Sequence, residues 1–354
     1  MSKSVKKILT IIIPSYNMEK YLDKCLQSLI INPKLMSILE ILIVNDGSTD
    51  STSTIGHTYQ QRYPGVFKCI DKKNGHYGSC INCGIKEASG KFIRTLDADD
   101  SFETENFALF IDFLKDCDAD CIYSNYVTVD GNDNPIENIS FPFLPAYSEF
   151  NVSELVKNKE ERILHTVQSI TYKTENLREI NYKQTEGISY TDNEWVFLPM
   201  STVRKVCVFP KTVYKYFIGR DGQSVDPKIV IKNFNQEILV TKSIVNLYEE
   251  NKSNFSMDVF PYLNAWALHK VSMLYRYFLF IYPFRLKIKD LFSFDKFLKE
   301  CSPELYTQSS EVLRGSSIKF LNFPFIKNFR KRYFLKFIMV FFIDKIRSIK
   351  RSSK

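Results

Sequence analysis

Lys91-Phe92-Ile93-Arg94-Thr95-Leu96-Asp97-Ala98-Asp99-Asp100 sets three carboxylates within four residues at the end of an extended apolar run. Like charges this close raise one another's pKa unless a cation neutralises them. A hard divalent ion, held by one or two carboxylates and completed by substrate phosphates, meets that need. The competing reading is a solvated acidic turn, with Asp100 capping a helix that starts near Ser101 and Glu103 closing a capping box. For Asp100 the capping role is preferred. For Asp97 and Asp99 position decides in favour of a cation, because open α/β sheets bind ligands at the carboxyl ends of their strands.

The segments around this run alternate strand and helix. Leu9-Thr10-Ile11-Ile12-Ile13-Pro14 reads as a central parallel strand buried on both faces. A helix is expected from about Met18 to Ile31, with Asn32-Pro33 as its stop. The second strand, Glu40 to Val44, opens into Asn45-Asp46-Gly47-Ser48-Thr49-Asp50, where Ser48 or Thr49 is placed to cap the next helix. A third strand, Phe67 to Asp71, leads into Asn74-Gly75-His76-Tyr77-Gly78-Ser79. Then come a helix to Ala88, a Ser89-Gly90 C-cap and the strand that delivers the acidic cluster. This alternation predicts an α/β fold built on a doubly wound, mostly parallel sheet. The loop after the first strand, Ser15-Tyr16-Asn17, has no glycine, which excludes a G-x-G-x-x-G dinucleotide fingerprint, and no G-x-x-x-x-G-K-[ST] is present. Phosphate charge must then be met by a metal instead of a glycine cradle.

Four motifs in order carry a family resemblance: Ile11 to Asn17, Val44 to Asp50, Ala88-Ser89-Gly90-Lys91-Phe92-Ile93, and Leu96-Asp97-Ala98-Asp99-Asp100. Together they resemble the family 2 glycosyltransferases, with their Rossmann-like GT-A fold, over about residues 8–225. The resemblance implies an inverting transferase that uses a nucleotide-diphosphate sugar, a UDP-sugar first among them, with Mn²⁺ or Mg²⁺. Carried over residue by residue, Pro14 and Tyr16 line the base pocket and Asp46 accepts from the uracil N3–H. Asp97 approaches the ribose and, with Asp99, serves the metal. For Asp46 the structural alternative is a turn residue satisfying its own loop. Gly75 and Gly78 are expected to let the backbone approach the ligand, with His76 as a pocket wall. One departure is plain: Cys80-Ile81-Asn82 stands where many members have Ala-Arg-Asn, so a positive charge near the donor is missing.

After a fifth strand, Asp120 to Tyr126, the turn Asp130-Gly131-Asn132-Asp133 and the run Phe141-Pro142-Phe143-Leu144-Pro145 mark the change to an acceptor half. Ser169 to Lys173 reads as a strand. Glu186 to Trp195 resembles the family's acidic catalytic-base motif, with Thr191-Asp192 replacing its Glu-Asp pair. A general base must take the acceptor hydroxyl's proton opposite the leaving diphosphate, and Asp192 is the choice, with Glu194 as the fallback. A helix N-cap role for Asp192 is compatible with this. Tyr214 to Ser224 resembles the family segment that closes over the diphosphate, where Arg220 would supply positive charge. The plain alternative is a surface arginine in a Gly-flanked turn.

The expected organisation is a catalytic domain over 1–225, divided into a nucleotide-sugar half (8–130) and an acceptor half (131–225), followed by a helical, basic region over 226–354. The chain has 354 residues and a net charge of +8, yet its last 94 residues hold 19 basic and 6 acidic side chains. Phe255 to Tyr282 and Leu321 to Ile349 interleave aromatics with lysine and arginine, a composition suited to an anionic membrane surface. No recognised nucleic-acid reader accompanies the charge, so nucleic acid is not an expected partner. Val271 to Pro283 and Tyr333 to Ile343 are shorter than the roughly 18 residues a span requires, and Arg276 and Lys336 interrupt them. Met1 to Lys7 is basic, but the apolar run after it is too short for a signal peptide. The expected location is therefore cytoplasmic, peripheral at the inner face of the cell membrane, with a lipid-linked or cell-surface glycan as acceptor. The cysteines are expected as free thiols, and a zinc site from Cys80-x-x-Cys83 with Cys117-x-x-x-Cys121 is disfavoured. Two rival functions remain at this stage. One is a catalytically silent sugar-nucleotide-binding or scaffold protein. The other is a sugar-phosphate nucleotidyltransferase, which would want a glycine- and arginine-rich loop after the first strand.

Overall fold

The computed structural model describes residues 6–157, 166–220, 232–278 and 288–315, together with Gln223 and Ile229. The chain divides into two compact units, Met1–Val230 with Phe255–Tyr262, and Ile231–Asn254 with Leu263–Lys354. The strands of the first unit are β1 (Leu9–Ser15), β2 (Leu39–Asn45), β3 (Phe67–Asp71), β4 (Phe92–Thr95), β5 (Ser101–Phe102), β6 (Cys121–Val129), β7 (Pro135–Ile139), β8 (Phe150–Asn151), β9 (Ile170–Lys173) and β10 (Lys205–Phe217). Its helices are α1 (Leu22–Gln27), α2 (Pro33–Met36), α3 (Thr52–Arg62), α4 (His76–Glu87), α5 (Thr104–Asp116), α6 (Glu154–Lys157), α7 (Thr174–Glu179) and α8 (Asp192–Phe197).

The strands form one sheet in the order β3-β2-β1-β4-β9-β6-β10-β5, with β7 against β6 and β8 against β10. β1 is parallel to both β2 and β4, with Ile11 opposite Ile41 on one side and Arg94 on the other. A strand flanked in this way is covered on both faces, which is why Ile11, Ile12 and Ile13 are all fully buried. β9 runs antiparallel to both β4 and β6, and so joins the parallel block β3-β2-β1-β4 to the parallel pair β6-β10. β9 pairs with the first half of β4, at Phe92 and Ile93, and the acidic run emerges from the other, carboxyl end of that strand.

Helix packing follows from small local features. Gly84 on α4 lies against β1 so closely that an added Cβ would stand 2.5 Å from Ile12 Cδ1. α5 buries Phe107, Phe110, Ile111 and Leu114, the i, i+3, i+4, i+7 stripe of an amphipathic helix. Glu103 is its N-cap, accepting from the Asn106 N–H at 3.1 Å.

Four local expectations change. Asp100 caps nothing: Ser101 and Phe102 are a strand, α5 begins at Thr104, and Asp100 is 3% exposed within the fold. The helix expected over Met18 to Ile31 is only Leu22–Gln27, because the Met18 N–H bonds the side chain of Thr52, which opens α3, and the Glu19 N–H bonds Asp50 in the loop after β2. Asn32-Pro33 starts a helix instead of stopping one, since α1 has already ended at Gln27, the Asn32 side chain accepts from the Lys34 N–H and Pro33 opens α2. Similarly, α3 has Ser51 as its N-cap in place of Ser48 or Thr49.

The second unit is helical, with α9 (Phe234–Asn251), most of α10 (Phe260–Arg276), α11 (Ile288–Cys301) and α12 (Pro303–Gly315). Its aromatics pack on one another: Phe234 meets Phe278 edge-on at 5.0 Å, and Tyr275 packs on Phe294 at 5.5 Å while its hydroxyl donates to Asp295. Among the described residues no helix is long and apolar enough to cross a membrane. Tyr333 to Ile343 and the rest of the basic aromatic stretch from Leu321 lie outside the described residues.

Candidate active site

The base-side rim is made by stitching the loop after β1 to the loop after β2. The Asn17 N–H donates to Ser48 Oγ at 3.0 Å and its side-chain oxygen accepts from the Thr49 N–H at 2.9 Å. Asn17 takes a left-handed φ of 54°, a conformation asparagine tolerates better than most residues. Across the same seam the Glu19 N–H donates to the Asp50 carboxylate and the Glu19 carboxylate accepts from the Ser51 N–H. Pro14 ends up half-buried below the rim, and Tyr16 stands 48% exposed upon it.

Asp46 is buried at the carboxyl end of β2, its N–H donating to the Ser15 carbonyl at 2.8 Å. Its Oδ1 accepts from Lys72 Nζ at 2.6 Å and from the Gly75 N–H at 3.0 Å. Lys72 Nζ also donates to Ser79 Oγ at 2.7 Å, so one ammonium ties β2, β3 and α4 together. Sequence reasoning passed over Lys72. Its position directly after β3, in a chain that lacks the usual arginine at position 81, was the available signal. Ile81 itself is fully buried.

The acidic run is held by β10. The Asp97 N–H donates to Tyr214 Oη at 3.2 Å, and that hydroxyl donates on to Asp100 Oδ2 at 2.5 Å. Asp100 Oδ1 accepts from the Phe217 N–H at 2.8 Å. With the strand end fixed, Gln223 bonds the Phe217 carbonyl and the Gly219 N–H, and Arg220 Nε reaches Asp99 Oδ2 at 2.7 Å. The Arg220 guanidinium also lies over the Tyr21 ring at 5.7 Å. Arg220 and Asp99 are therefore brought together as an ion pair.

Burial raises the pKa of Asp97 well above the usual carboxylate range, and the charges of Asp99 and then Asp192 push it the same way, with Arg220 opposing. Asp192 thus stands within electrostatic reach of Asp97, although 95 residues separate them in sequence. The buried Tyr77 hydroxyl has no hydrogen-bond partner among the described residues, and its pKa is raised by burial first and then by Asp97 and Asp192. Oxygen donors of like charge, with an unpartnered hydroxyl beside them, suit a hard divalent cation and a polar ligand. Asp97 and Asp99 would hold that ion.

On the acceptor side Asp192 is the first residue of α8, and the N-cap is Thr191. Glu194 is 1% exposed, and its two carboxylate oxygens accept from the Thr185 N–H at 2.7 Å and the Thr185 hydroxyl at 2.8 Å. This engagement gives Glu194 a structural reason for being there. It also explains Gly78, where an added Cβ would stand 2.0 Å from the Thr185 carbonyl oxygen. The space left by that glycine is filled by the chain itself, not kept for ligand approach. Gly75 lies at the same seam, its carbonyl accepting from the Gly187 N–H at 3.0 Å. Asn82, retained from the family pattern, accepts from the Gln184 N–H and donates to the Gln184 carbonyl, fastening this loop to α4.

All eight cysteines are free. Cys80 and Cys83 on α4 do not converge with Cys117 and Cys121, and among the described residues the compact group of potential ligands is His57, Cys69 and Asp71.

Residues 10–178 match the family model for Glycosyl transferase family 2. The chain carries a family 2 glycosyltransferase domain. Over 105 residues it is 40% identical to the "Uncharacterized glycosyltransferase MG025 homolog" of Mycoplasma pneumoniae, covering 29% of this chain and 34% of that protein. Over 250 residues it is 28% identical to a chondroitin synthase of Escherichia coli, covering 70% of this chain and 34% of the relative. The chain thus spans about a third of the length of these relatives. Among solved structures, Staphylococcus aureus TarS 1-349 in complex with UDP-GlcNAc superposes with a TM-score of 0.65 at 20% identity, covering 94% of this chain and 90% of that one. That likeness is one of fold, and it bears out the doubly wound GT-A arrangement.

The Asp100 anchor makes a prediction about this glycosyltransferase domain. Asp100→Ala leaves the Tyr214 hydroxyl and the Phe217 N–H without their acceptor and is expected to cost about 2–4 kcal/mol in urea unfolding. Asp100→Asn keeps an acceptor oxygen and should cost clearly less. Equal, near-zero losses in both variants would show that the anchor is unimportant.

Proposed function

We propose that the chain is an inverting, metal-dependent glycosyltransferase that moves a sugar from a UDP-sugar to a lipid-linked or cell-surface glycan. The observation that supports this reading best is the convergence of Asp97 and Asp99, from the end of β4, with Asp192, from the start of α8. Donor and acceptor chemistry need carboxylates in those two places. In this reading residues 1–225 form the catalytic part, with 8–130 holding the donor and 131–225 shaping the acceptor side.

Pro14 and Tyr16 border the base, and Asp46, held by Lys72, accepts from its imide N–H. Asp97 meets the ribose. Mn²⁺ or Mg²⁺, when bound at Asp99 and Asp97, would neutralise the diphosphate and make it a better leaving group. Asp192 takes the proton of the acceptor hydroxyl as that oxygen forms its bond to the anomeric carbon and the bond to the diphosphate oxygen breaks. Arg220 is released from Asp99 toward the departing diphosphate, a cation aimed where negative charge develops. Attack from the face opposite the leaving group inverts the anomeric centre.

A panel of nucleotide sugars with Mn²⁺, scored for nucleoside diphosphate release with and without membrane lipid extracts, tests the activity. Nucleotide binding without turnover of any donor would favour a silent binding protein instead. Within that assay Asp99→Asn is expected to lose metal-dependent UDP binding in calorimetry while remaining folded. Asp192→Asn should keep UDP affinity and lower turnover by about 10²- to 10⁴-fold, as loss of a positioned general base does. Glu194→Gln should lower stability before it touches chemistry. A folded Glu194→Gln with the larger loss of turnover would move the base to Glu194.

The same reading places the enzyme at the inner membrane face, its net-basic last quarter drawn to anionic lipid. The full chain should co-sediment with anionic vesicles, less so as salt is raised, and only weakly with neutral ones. Equal binding to both would remove the electrostatic anchor.

A further inference from the structure

We infer that His57, Cys69 and Asp71 form a second metal site, suited to Zn²⁺ and separate from the acidic run. His57 lies on α3, while Cys69 and Asp71 lie on β3 on opposite sides of Ile70. His57 Nε2 and Asp71 Oδ2 stand 2.7 Å apart, and the ligand atoms of all three residues lie within 4.8 Å of one another. Tetrahedral zinc, bound at about 2.0–2.3 Å, sets its ligand atoms roughly 3.3–3.7 Å apart. The trio reaches that geometry by shifts of about an ångström or less, with a fourth position left for water.

The surroundings are built for ligation. Asp71 Oδ1 accepts from Asn45 Nδ2 at 2.7 Å and from Ser53 Oγ at 2.8 Å, which turns Oδ2 toward His57. Hydrogen bonds of this outer kind orient ligating carboxylates in metal sites. Cys69 is 8% exposed, and Gly56 lets α3 close on it: a Cβ there would stand 2.6 Å from Cys69 Sγ. The His57 side chain is 42% exposed, so the site opens to solvent on the imidazole side.

Donor chemistry separates the two metal sites of this chain. The acidic run offers only oxygens and suits a hard ion such as Mg²⁺ or Mn²⁺, whereas sulfur with imidazole selects a borderline-soft one. Coordination releases the Cys69 thiol proton to solvent and takes His57 as neutral imidazole. An ion here would brace α3 against β3 behind the loop that carries Asp46, because Asp71 also holds Asn45.

Titration of the full-length chain with Co²⁺, a spectroscopic stand-in for Zn²⁺, tests the site. A near-ultraviolet thiolate-to-cobalt band should grow and be abolished by competing Zn²⁺. Cys69→Ser should remove the band. His57→Ala, at a partly exposed position that leaves the core intact, should weaken Co²⁺ and Zn²⁺ binding at least tenfold. Both variants should retain Mn²⁺-dependent UDP binding. Absence of the band in the parent protein, its survival in Cys69→Ser, or unchanged affinity in His57→Ala would each overturn the assignment.

Discussion

One tyrosine decides where the acidic run points. Tyr214 Oη accepts from the Asp97 N–H and donates to Asp100, so both ends of Asp97-Ala98-Asp99-Asp100 close on a single hydroxyl. Relayed hydrogen bonds of this kind polarise one another in a buried setting. Asp100 then takes the Phe217 N–H, which fixes the last residue of β10 and with it the turn that carries Arg220 to Asp99. Without that latch the run would be the solvated turn its composition suggests. With it, Asp97 and Asp99 are held together at the carboxyl end of β4 with Arg220 as their partial counter-charge, a state that a bound cation would relieve further.

Behind the run stands a second costly charge. Arg94 is fully buried on β4 and donates to Ser124, Thr171 and the Gln168 carbonyl, while Phe102, Phe110 and Tyr214 surround its guanidinium at 5.2–5.8 Å. Burial pulls its pKa down to about 9, still high enough to keep it charged near neutrality. A buried charge is tolerated only when most of its donors are engaged, and here both terminal nitrogens are engaged by β6, β9 and the turn before β9, while Nε has no partner among the described residues. Arg94 therefore fastens the parallel block to the strands of the acceptor side from within. The seam has a second fastening, where Asn82 of α4 and Glu194 of α8 hold between them the loop around Gln184 and Thr185.

The parallel block was legible because its signals are local. β3 spans the residues that its apolar run marks, Phe67–Asp71, and β1 and β2 fall within a residue of expectation. Motif order was enough to indicate the fold. What could not be read were roles fixed by distant partners: the groups that claim Asp100 lie 114 and 117 residues further on. Local propensity offers Asp100 a cap, and a long-range latch overrides it. Gly78 is similar, since a glycine in the first turn of a helix says that something comes close without saying that it is Thr185. Lys72 escaped notice because an exposed lysine and one clamping a buried carboxylate look alike in a sequence.

The central claim is that the acidic run binds a divalent ion jointly with a nucleotide diphosphate. Electron paramagnetic resonance of free Mn²⁺, recorded as UDP is added to the full-length chain, tests it most directly. The account predicts weak Mn²⁺ binding by protein alone and a loss of free-Mn²⁺ signal on adding UDP that exceeds binding to UDP in buffer. Mn²⁺ uptake that is indifferent to UDP, or UDP binding that is unchanged by chelation of all divalent metal, would contradict it.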